Sequence, residues 1–262
     1  MGEPLITYEL DGATALIGLN RPDKRNAIND SLIDELRVAV QRAHEEADVA
    51  VLFGHGSNFC AGLDLAEALA RATGQIQPPR KRRRHNWHEV FDLIARGPIP
   101  FVAALHGAVV GGGLELAMAA HVRVCDDSAL FGLPEGQRGI FVGGGGTVRI
   151  QRVVGTTVMM DMMLTGRLLS PAEGLQEHVV RYVTPAGQAL AKARELALRI
   201  GKNSVDTNWM IINVLPRVHD LSHDDGLFVE QLNSARARPP EAEARLREFV
   251  DGKAKKLQDN QA

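Results

Sequence analysis

Three consecutive glycines, Gly111 to Gly113, constrain the fold of this chain more than any other feature, because they separate two apolar segments. The segment before them has the composition of a β-strand, and the segment that begins at Leu114 has that of a buried helix. The pattern predicts a strand, a tight turn and a helix whose first backbone N–H groups point at one spot. Glu115 lies in the first turn of that helix, and a buried glutamate is rare unless it is paired or takes part in chemistry.

A second segment repeats this pattern. The apolar run Val49 to Gly54 predicts a buried strand, and the small residues around Ala61 predict a turn into a further helix. Backbone N–H groups near Ala61 and Gly112 are expected to converge on one carbonyl oxygen and to stabilise the charge that develops on it. A glycine run alone is also explained as a simple turn. The second turn and a second carboxylate, Glu135, favour the chemical interpretation.

Other enzyme classes find no support in the motifs. The run Gly143 to Gly146 lacks the Lys-Ser/Thr of a phosphate-binding loop, so a nucleoside triphosphate site is not expected. The chain contains no Gly-x-Ser-x-Gly elbow, which serine hydrolases of the α/β class use. It has no His-Glu-x-x-His spacing either, and we therefore expect neither a metal nor a separate cofactor.

Composition sets wider limits. A chain of 262 residues with 45% apolar residues has enough material for one large domain or two small ones. A net charge of −2 argues against a general nucleic-acid-binding surface. Two cysteines form no disulfide framework, and the N-terminus lacks a basic segment followed by an apolar one. We expect a soluble, cytoplasmic protein without a membrane helix.

Strands and helices are predicted to alternate in the first part of the chain. A helix capped by Ser31 carries an apolar stripe of Leu32, Leu36, Val40 and Ala43. The predicted strands are Leu5 to Leu10, Ala13 to Leu19, Val49 to Gly54, Phe101 to His106, Val122 to Cys125 and Val179 to Val183. From residue 185 onward only helices are predicted: Ala189 to Ile200, Val205 to Val214, Gly226 to Ala235 and Pro240 to Leu257. The pattern predicts an α/β core over residues 1–184 and a helical region over residues 185–262.

Four motifs carry a resemblance to a known family. They are Leu19 to Ala27, Phe59 to Leu65, Gly111 to Glu115, and Pro134-Glu135 leading to Gly143 to Thr147. In this order they make the chain, over nearly its whole length, similar to the enoyl-CoA hydratase (crotonase) family. The segment Leu133 to Gly143 also resembles the methylthioacryloyl-CoA hydratase branch. The resemblance implies an α/β fold, a crotonase-like spiral of ββα turns with a helical C-terminal region that assembles trimers, often paired into hexamers.

The resemblance also implies a reaction, the reversible syn addition of water across the α,β-double bond of an enoyl-CoA thioester. The N–H groups of Ala61 and Gly112 would hold the thioester oxygen, Glu115 would deprotonate the water, and Glu135 would protonate the α-carbon. Gly143 would hold the water by its N–H. Neighbouring carboxyls in a desolvated pocket have pKa values pushed apart, so one is ionised while the other is protonated. Contacts with the CoA thioester are expected from Lys24, Arg25, Ala27, Ala61, Gly62, Leu63, Asp64, Leu65, Trp87, Phe249 and Lys253.

Two alternatives stay open at this point. A CoA-thioester hydrolase or an enoyl-CoA isomerase uses the same scaffold, although such members often lack one glutamate. An RNA-binding homologue would use the basic run Arg80 to Arg84, which is most simply explained as a solvated surface and otherwise as a contact for CoA phosphates or RNA.

Overall fold

A six-stranded sheet forms the framework of the first of two units, Met1–Gly201, in a computed structural model that describes residues 3–76, 86–236 and 240–252. The strands are β1 (Ile6–Asp11), β2 (Thr14–Leu19), β3 (Val49–Gly54), β4 (Phe101–Leu105), β5 (Ala108–Val110), β6 (Val122–Asp126), β7 (Leu130–Gly132), β8 (Leu168–Leu169) and β9 (Tyr182–Thr184). The sheet has the order β1-β2-β3-β4-β6-β9, and its pairs are parallel except for β1 with β2.

Helices cover both faces of this sheet. The α-helices among the described residues of the first unit are α1 (Asp30–Glu46), α2 (Leu65–Ala72), α3 (Asn86–Arg96), α4 (Gly112–Ala117), α5 (Gly146–Thr165), α6 (Pro171–Gln176) and α7 (Ala189–Ile200), of which α1 and α7 pack on opposite faces of the sheet. Adjacent residues of β3 therefore enter different cores, Leu52 the larger one and Val51 the one beneath α7. A strand buried on both faces has a continuous apolar sequence, which is the pattern that predicted β3 with its observed bounds.

The first helix begins earlier than predicted. Asn29 is its N-cap, and the Asn29 side chain accepts a hydrogen bond from the Leu32 N–H at 2.9 Å, so the assignment of the cap to Ser31 is wrong. Asn and Ser are comparable N-caps, so residue type alone does not decide between Asn29 and Ser31. The predicted apolar stripe is confirmed, since its four members are buried against the sheet.

A second sheet, absent from the prediction, carries the glycine turn. Its three short strands have the order β5-β7-β8, and β5 pairs with β7 in parallel. Strand β5 leads directly into Gly111 and α4, so the predicted order of strand, turn and helix is confirmed. The strand predicted over Val179 to Val183 begins only at Tyr182, because the buried Val180 bonds back to Gly174 at the end of α6.

The division between the units falls after Gly201, further along the chain than residue 184, where the sequence placed it. Helix α7 packs on β3, β4 and β6 and so belongs to the first unit. The second unit, Lys202–Ala262, contains α8 (Val205–Val218), α9 (His223–Arg236) and α10 (Pro240–Val250) among its described residues. In the described part of the chain no helix is long and apolar enough to cross a membrane.

Candidate active site

Glu115 is buried in the first turn of α4 and is held by backbone N–H groups of a distant loop. Its Oε1 accepts hydrogen bonds from the N–H groups of Gly144 at 2.7 Å and Gly146 at 2.8 Å. The N–H of Gly143 lies 3.4 Å from Oε2. These donors compensate the loss of water around a buried carboxylate, because each replaces a lost hydration contact.

Two glycines of this loop, Gly144 and Gly146, leave no room for a side chain beside Phe91 and the Glu115 carboxylate. A Cβ on Gly146 would lie 2.8 Å from Glu115 Oε1, and one on Gly144 would lie 2.6 Å from the ring of Phe91. Real Cβ atoms do not tolerate such distances. Glycine is therefore required at positions 144 and 146, where the loop passes Glu115.

Glu135 is the second buried carboxyl, and its surroundings differ from those of Glu115. Among the described residues its Oε2 has no hydrogen-bond partner, although the atom is buried. Burial raises the pKa of Glu135, and the negative charge of Glu115 raises it further. Glu135 Oε1 lies 2.9 Å from the position that a Cβ on Gly111 would take, so both carboxyls border the glycine turn. One site thus contains a carboxyl with several donors and a carboxyl whose pKa is raised above its ordinary value.

The two predicted turns are in contact with each other. Gly62 adopts a φ of +87°, and a Cβ on it would lie 3.1 Å from the Gly112 nitrogen and 2.6 Å from the Val110 oxygen. The turn that follows β3 therefore packs directly on the turn that precedes α4, as the convergence of two N–H groups requires.

The donor assigned to Ala61 is wrong. The Ala61 N–H donates to the Arg25 carbonyl at 2.9 Å, and the Gly62 N–H faces the Cys60 sulfur at 3.4 Å. The next N–H along the chain, that of Leu63, donates to no described group, and neither does the N–H of Gly112 at the start of α4. The two turns thus offer the N–H groups of Leu63 and Gly112.

Asn26, a residue not predicted to act in the site, holds this arrangement in place. It is fully buried, and its amide makes three hydrogen bonds to backbone groups, from Arg21 N–H (2.8 Å) and to the carbonyls of His55 (2.9 Å) and Asn58 (2.7 Å). The amide uses most of its bonding capacity on main chain. It thereby fixes the turn whose Arg25 carbonyl accepts from Ala61. The sequence did contain a signal for this residue, because Asn26 lies in the first of the four family motifs, Leu19 to Ala27.

The remaining predicted contact residues line the same region in different ways. Lys24 and Arg25 are exposed, Leu65 is exposed, and Ala27 is half-buried with its carbonyl accepting from the Arg21 guanidinium at 2.5 Å. Asp64 caps α2 and forms an ion pair with Arg21 at 3.0 Å. The Asp64 side chain thus holds the turn in place.

A cleft of about 390 Å³ opens beside the turns. It is lined by Ile28, Asn29, Asp30, Leu63, Asp64, Glu67, Ala68, Arg71, Ala72 and Trp87. The Trp87 ring lies so close to Gly112 that any Cβ there would clash with it. The predicted pocket residue Trp87 therefore connects the cleft with the glycine turn, while Phe91, the other aromatic residue considered for it, is buried in the core.

Two predicted features lie elsewhere or outside the described residues. Phe249 is exposed on α10 of the second unit, and its contribution to the site stays a prediction. Lys253 and the basic run Arg80 to Arg84 lie outside the described residues. Within those residues, no group of three or more His, Cys, Asp or Glu is placed to hold a metal ion.

Known proteins are similar to this chain over most of its length. A family model described as enoyl-CoA hydratase/isomerase matches residues 9–233. A mitochondrial Arabidopsis thaliana protein named "Probable enoyl-CoA hydratase 2" is 32% identical over 225 residues, which cover 85% of this chain and 73% of that protein. A probable enoyl-CoA hydratase of Mycobacterium bovis is 30% identical over 253 residues, covering 95% of this chain and 96% of that protein.

Solved structures show the same fold. A Rhodopseudomonas palustris protein assigned by name to the enoyl-CoA hydratases is 42% identical with a TM-score of 0.86, and the match covers 95% of each chain. The enoyl-CoA hydratase of Bacillus anthracis is 27% identical with a TM-score of 0.85, covering 95% of this chain and 96% of that one. The fold class is therefore the crotonase fold, as the motifs implied. The chain belongs to the enoyl-CoA hydratase/isomerase family.

Proposed function

We propose that this protein is an enoyl-CoA hydratase, which adds water reversibly across the α,β-double bond of an acyl-CoA thioester. The observation that supports this most directly is the pair of buried carboxyls with unlike surroundings, Glu115 and Glu135, on either side of one glycine turn. Hydration needs a base and an acid at the same time, because water loses a proton while the α-carbon gains one.

The oxyanion is assigned to backbone donors. The thioester oxygen accepts from the N–H groups of Leu63 and Gly112, which have no other described acceptor. When the water oxygen bonds to the β-carbon, the electron pair of the double bond moves onto the thioester oxygen as an enolate. Donors fixed in advance stabilise that charge without reorganising.

The two glutamates complete the proton transfers. Glu115, ionised, takes a proton from the water, which the Gly143 N–H helps to place beside Oε2. Glu135, protonated, gives its proton to the α-carbon, and its raised pKa keeps that proton available. The product is the 3-hydroxyacyl thioester, and the two carboxyls then exchange one proton through solvent.

The CoA moiety is assigned to the exposed cations before the turn. Lys24 and Arg25 are exposed and offer positive charge to its phosphates, while Ala27 and the Ala61 to Leu65 turn border the thioester. The cleft at Trp87 receives part of the substrate. CoA is part of the substrate, and the proposed reaction uses no further cofactor.

A panel of enoyl-CoA thioesters tests the proposal. Loss of the conjugated double bond, release of free CoA and migration of the double bond are followed in parallel on each compound. Hydration without CoA release is the expected result. CoA release that keeps pace with substrate loss would identify a thioester hydrolase, and double-bond migration without hydration would identify an isomerase; either result contradicts the proposal.

Two substitutions test the assigned roles. Glu115→Gln and Glu135→Gln keep the side-chain shape but remove proton transfer, so each should lower hydratase turnover by about 10²- to 10⁴-fold. Binding of CoA should persist, and the double variant should lose less than the product of the single losses. Glu45→Gln, on the exposed face of α1, is the matched control and should keep wild-type turnover. Near wild-type turnover in either site variant would refute the two-carboxyl mechanism.

A further inference from the structure

The loop that holds Glu115 is itself held from its opposite side. Gly144 donates its N–H to Glu115 Oε1 at 2.7 Å, and its carbonyl accepts a hydrogen bond from Arg149 Nη1 at 2.8 Å. The same peptide region therefore connects the glutamate to a guanidinium on α5. Glycine peptides have few intrinsic restraints, so such contacts determine where their N–H groups point.

Arg149 is well placed for this because its guanidinium has two partners in different directions. While Nη1 bonds the Gly144 carbonyl, Nη2 forms an ion pair with Asp92 on α3. The Arg149 side chain is 17% exposed and that of Asp92 is 45% exposed. Gly145 has a φ of +93°, and a Cβ there would clash with the guanidinium, so Arg149 packs against the loop itself.

Electrostatics also connect Arg149 to the site. Burial lowers the pKa of the Arg149 guanidinium, whereas the charges of Asp92 and, more weakly, Glu115 act to raise it. The cation is thus near enough to interact with the Glu115 carboxylate, although among the described residues the two side chains form no hydrogen bond or ion pair with each other. Its direct bonds go to the loop and to Asp92.

We infer that Arg149, clamped by Asp92, is a positioning residue that fixes the Gly143 to Gly146 loop and so aims its N–H groups at Glu115. The kinetic part of this inference rests on the proposed hydratase activity. A planar guanidinium presents two donors in a fixed fork, whereas a lysine ammonium is a compact charge on a flexible stem. Lysine would keep the positive charge but lose the simultaneous hold on the loop and on Asp92.

Four variants of the full chain test the inference. Arg149→Gln removes the hold, Arg149→Lys keeps the charge, and Asp92→Asn removes the clamp. Arg167→Gln is the matched control, because Arg167 also pairs with carboxylates, Asp161 and Glu173, but does so at an exposed position outside the site. Thermal unfolding of each variant establishes that it is folded.

Hydrogen–deuterium exchange of peptides spanning residues 143–146 gives a readout that needs no substrate. Arg149→Gln should exchange these amides about tenfold faster or more than wild type, since loss of local contacts lowers the cost of local opening. Arg167→Gln should leave them unchanged. Unchanged exchange in folded Arg149→Gln would overturn the inference whatever reaction the protein catalyses.

Kinetics on the enoyl-CoA thioester that wild type converts fastest give the second readout. Arg149→Gln should lower kcat by about tenfold to a hundredfold with KM changed much less, because small misplacements of a catalytic group cost rate rather than binding. Arg149→Lys should recover only part of the loss, and Asp92→Asn should lose less than Arg149→Gln because Asp92 is more exposed. A Lys variant with wild-type kcat, or a loss matched by Arg167→Gln, would overturn it.

The two proposals fail separately. A wild-type protein that hydrates no thioester refutes the hydratase proposal, while the exchange experiment still tests the role of Arg149. If Arg149→Gln does not fold, the hydrogen exchange and kinetics of Arg149→Lys and Asp92→Asn test the inference instead. Both of these variants keep a polar group at the substituted position and are therefore expected to fold.

Discussion

Glu115 and Glu135 are both glutamates in one buried region, but they differ in their hydrogen-bond partners. This difference gives the two carboxyls different acid–base properties. Glu115 has three backbone N–H groups around its carboxylate, whereas Glu135 Oε2 has no partner among the described residues. Donors favour a charged carboxylate, and burial without donors favours a neutral one. The base and the acid are thus assigned by surroundings rather than by sequence position.

The raised pKa of Glu135 predicts a stability cost at neutral pH. Burial, and then Glu115, raise this pKa above its ordinary value of 4.5. Between the two values the folded protein binds more protons than the unfolded chain, so the free energy of unfolding falls as pH rises through that window. Gln does not titrate. Glu135→Gln should therefore be more stable than wild type at about pH 8, and this gain should shrink towards about pH 4.5.

Urea unfolding of both proteins at the two pH values measures this difference. Glu173 supplies a control of opposite sign, because hydrogen bonds from the backbone and side chain of Ser170, and then the Arg167 side chain, lower its pKa to about 2. Its stabilisation is present above pH 4.5 and is lost as pH falls towards 2. Glu173→Gln should be destabilising at pH 8. A Glu135→Gln gain that does not depend on pH would contradict the assignment.

At the residue scale the sequence drew attention to two glutamates that are buried in the structure, but it assigned one donor to Ala61, whose N–H is bonded to the Arg25 carbonyl. Residue type carries the information for a buried carboxylate, since Glu among apolar residues is unusual. The direction of an N–H depends on backbone angles, here a φ of +87° at Gly62, and on an acceptor from distant chain, the Arg25 carbonyl. The partners of Arg149 are distant in the same way, so no local pattern indicates them.

The element that decides the site is the turn between β5 and α4, where Gly112 lies against the ring of Trp87. A side chain there would clash with the Trp87 ring and displace the N–H assigned to the oxyanion. Gly112→Val should lower kcat through loss of one donor, a contribution of about 3 kcal/mol in transition-state stabilisation. Initial rates on the best thioester measure it.

A matched glycine separates this effect from general damage. Gly201 lies at the end of α7 with helical angles, and a Cβ there meets its nearest atom at 3.4 Å. Gly201→Ala should keep wild-type activity and fold. A folded Gly112→Val protein with an undiminished rate would show that the oxyanion is bound at another place.

At the element scale, length determined what could be predicted. The long apolar strands β2 and β3 were predicted within one residue of their observed bounds, and α7 was predicted without error. The strands β5, β7 and β8 contain two or three residues, too few for a period of two to appear. They form through pairing with distant chain, so only the three-dimensional structure reveals them.

At the scale of the whole molecule, the basic run that lies outside the described residues allows one experiment to compare three roles. The sequence predicts that this run is a solvated surface, so neutralising Arg82, Arg83 and Arg84 together should change neither turnover nor stability, because solvated charges contribute little individually. If the run contacts CoA phosphates, the variant should instead have a raised KM. The KM of wild type should then rise towards the same value as salt is added. Loss of salt-sensitive RNA binding with unchanged kinetics would indicate an RNA site.

The last prediction concerns assembly, which the family resemblance implied as a trimer or hexamer. The helices of the second unit expose many large apolar side chains, among them Trp209, Leu215, Phe228 and Phe249, and extended exposed apolar surface marks association sites. Sedimentation velocity should therefore give a mass of three or six chains.

Leu215→Glu, at a side chain 66% exposed on α8, should shift the protein towards the monomer, because burying an unpaired carboxylate is costly. Val38→Glu, at a residue 64% exposed on α1, is the control and should keep the wild-type mass. A monomeric wild type, or an assembly that Leu215→Glu does not weaken, would contradict the prediction.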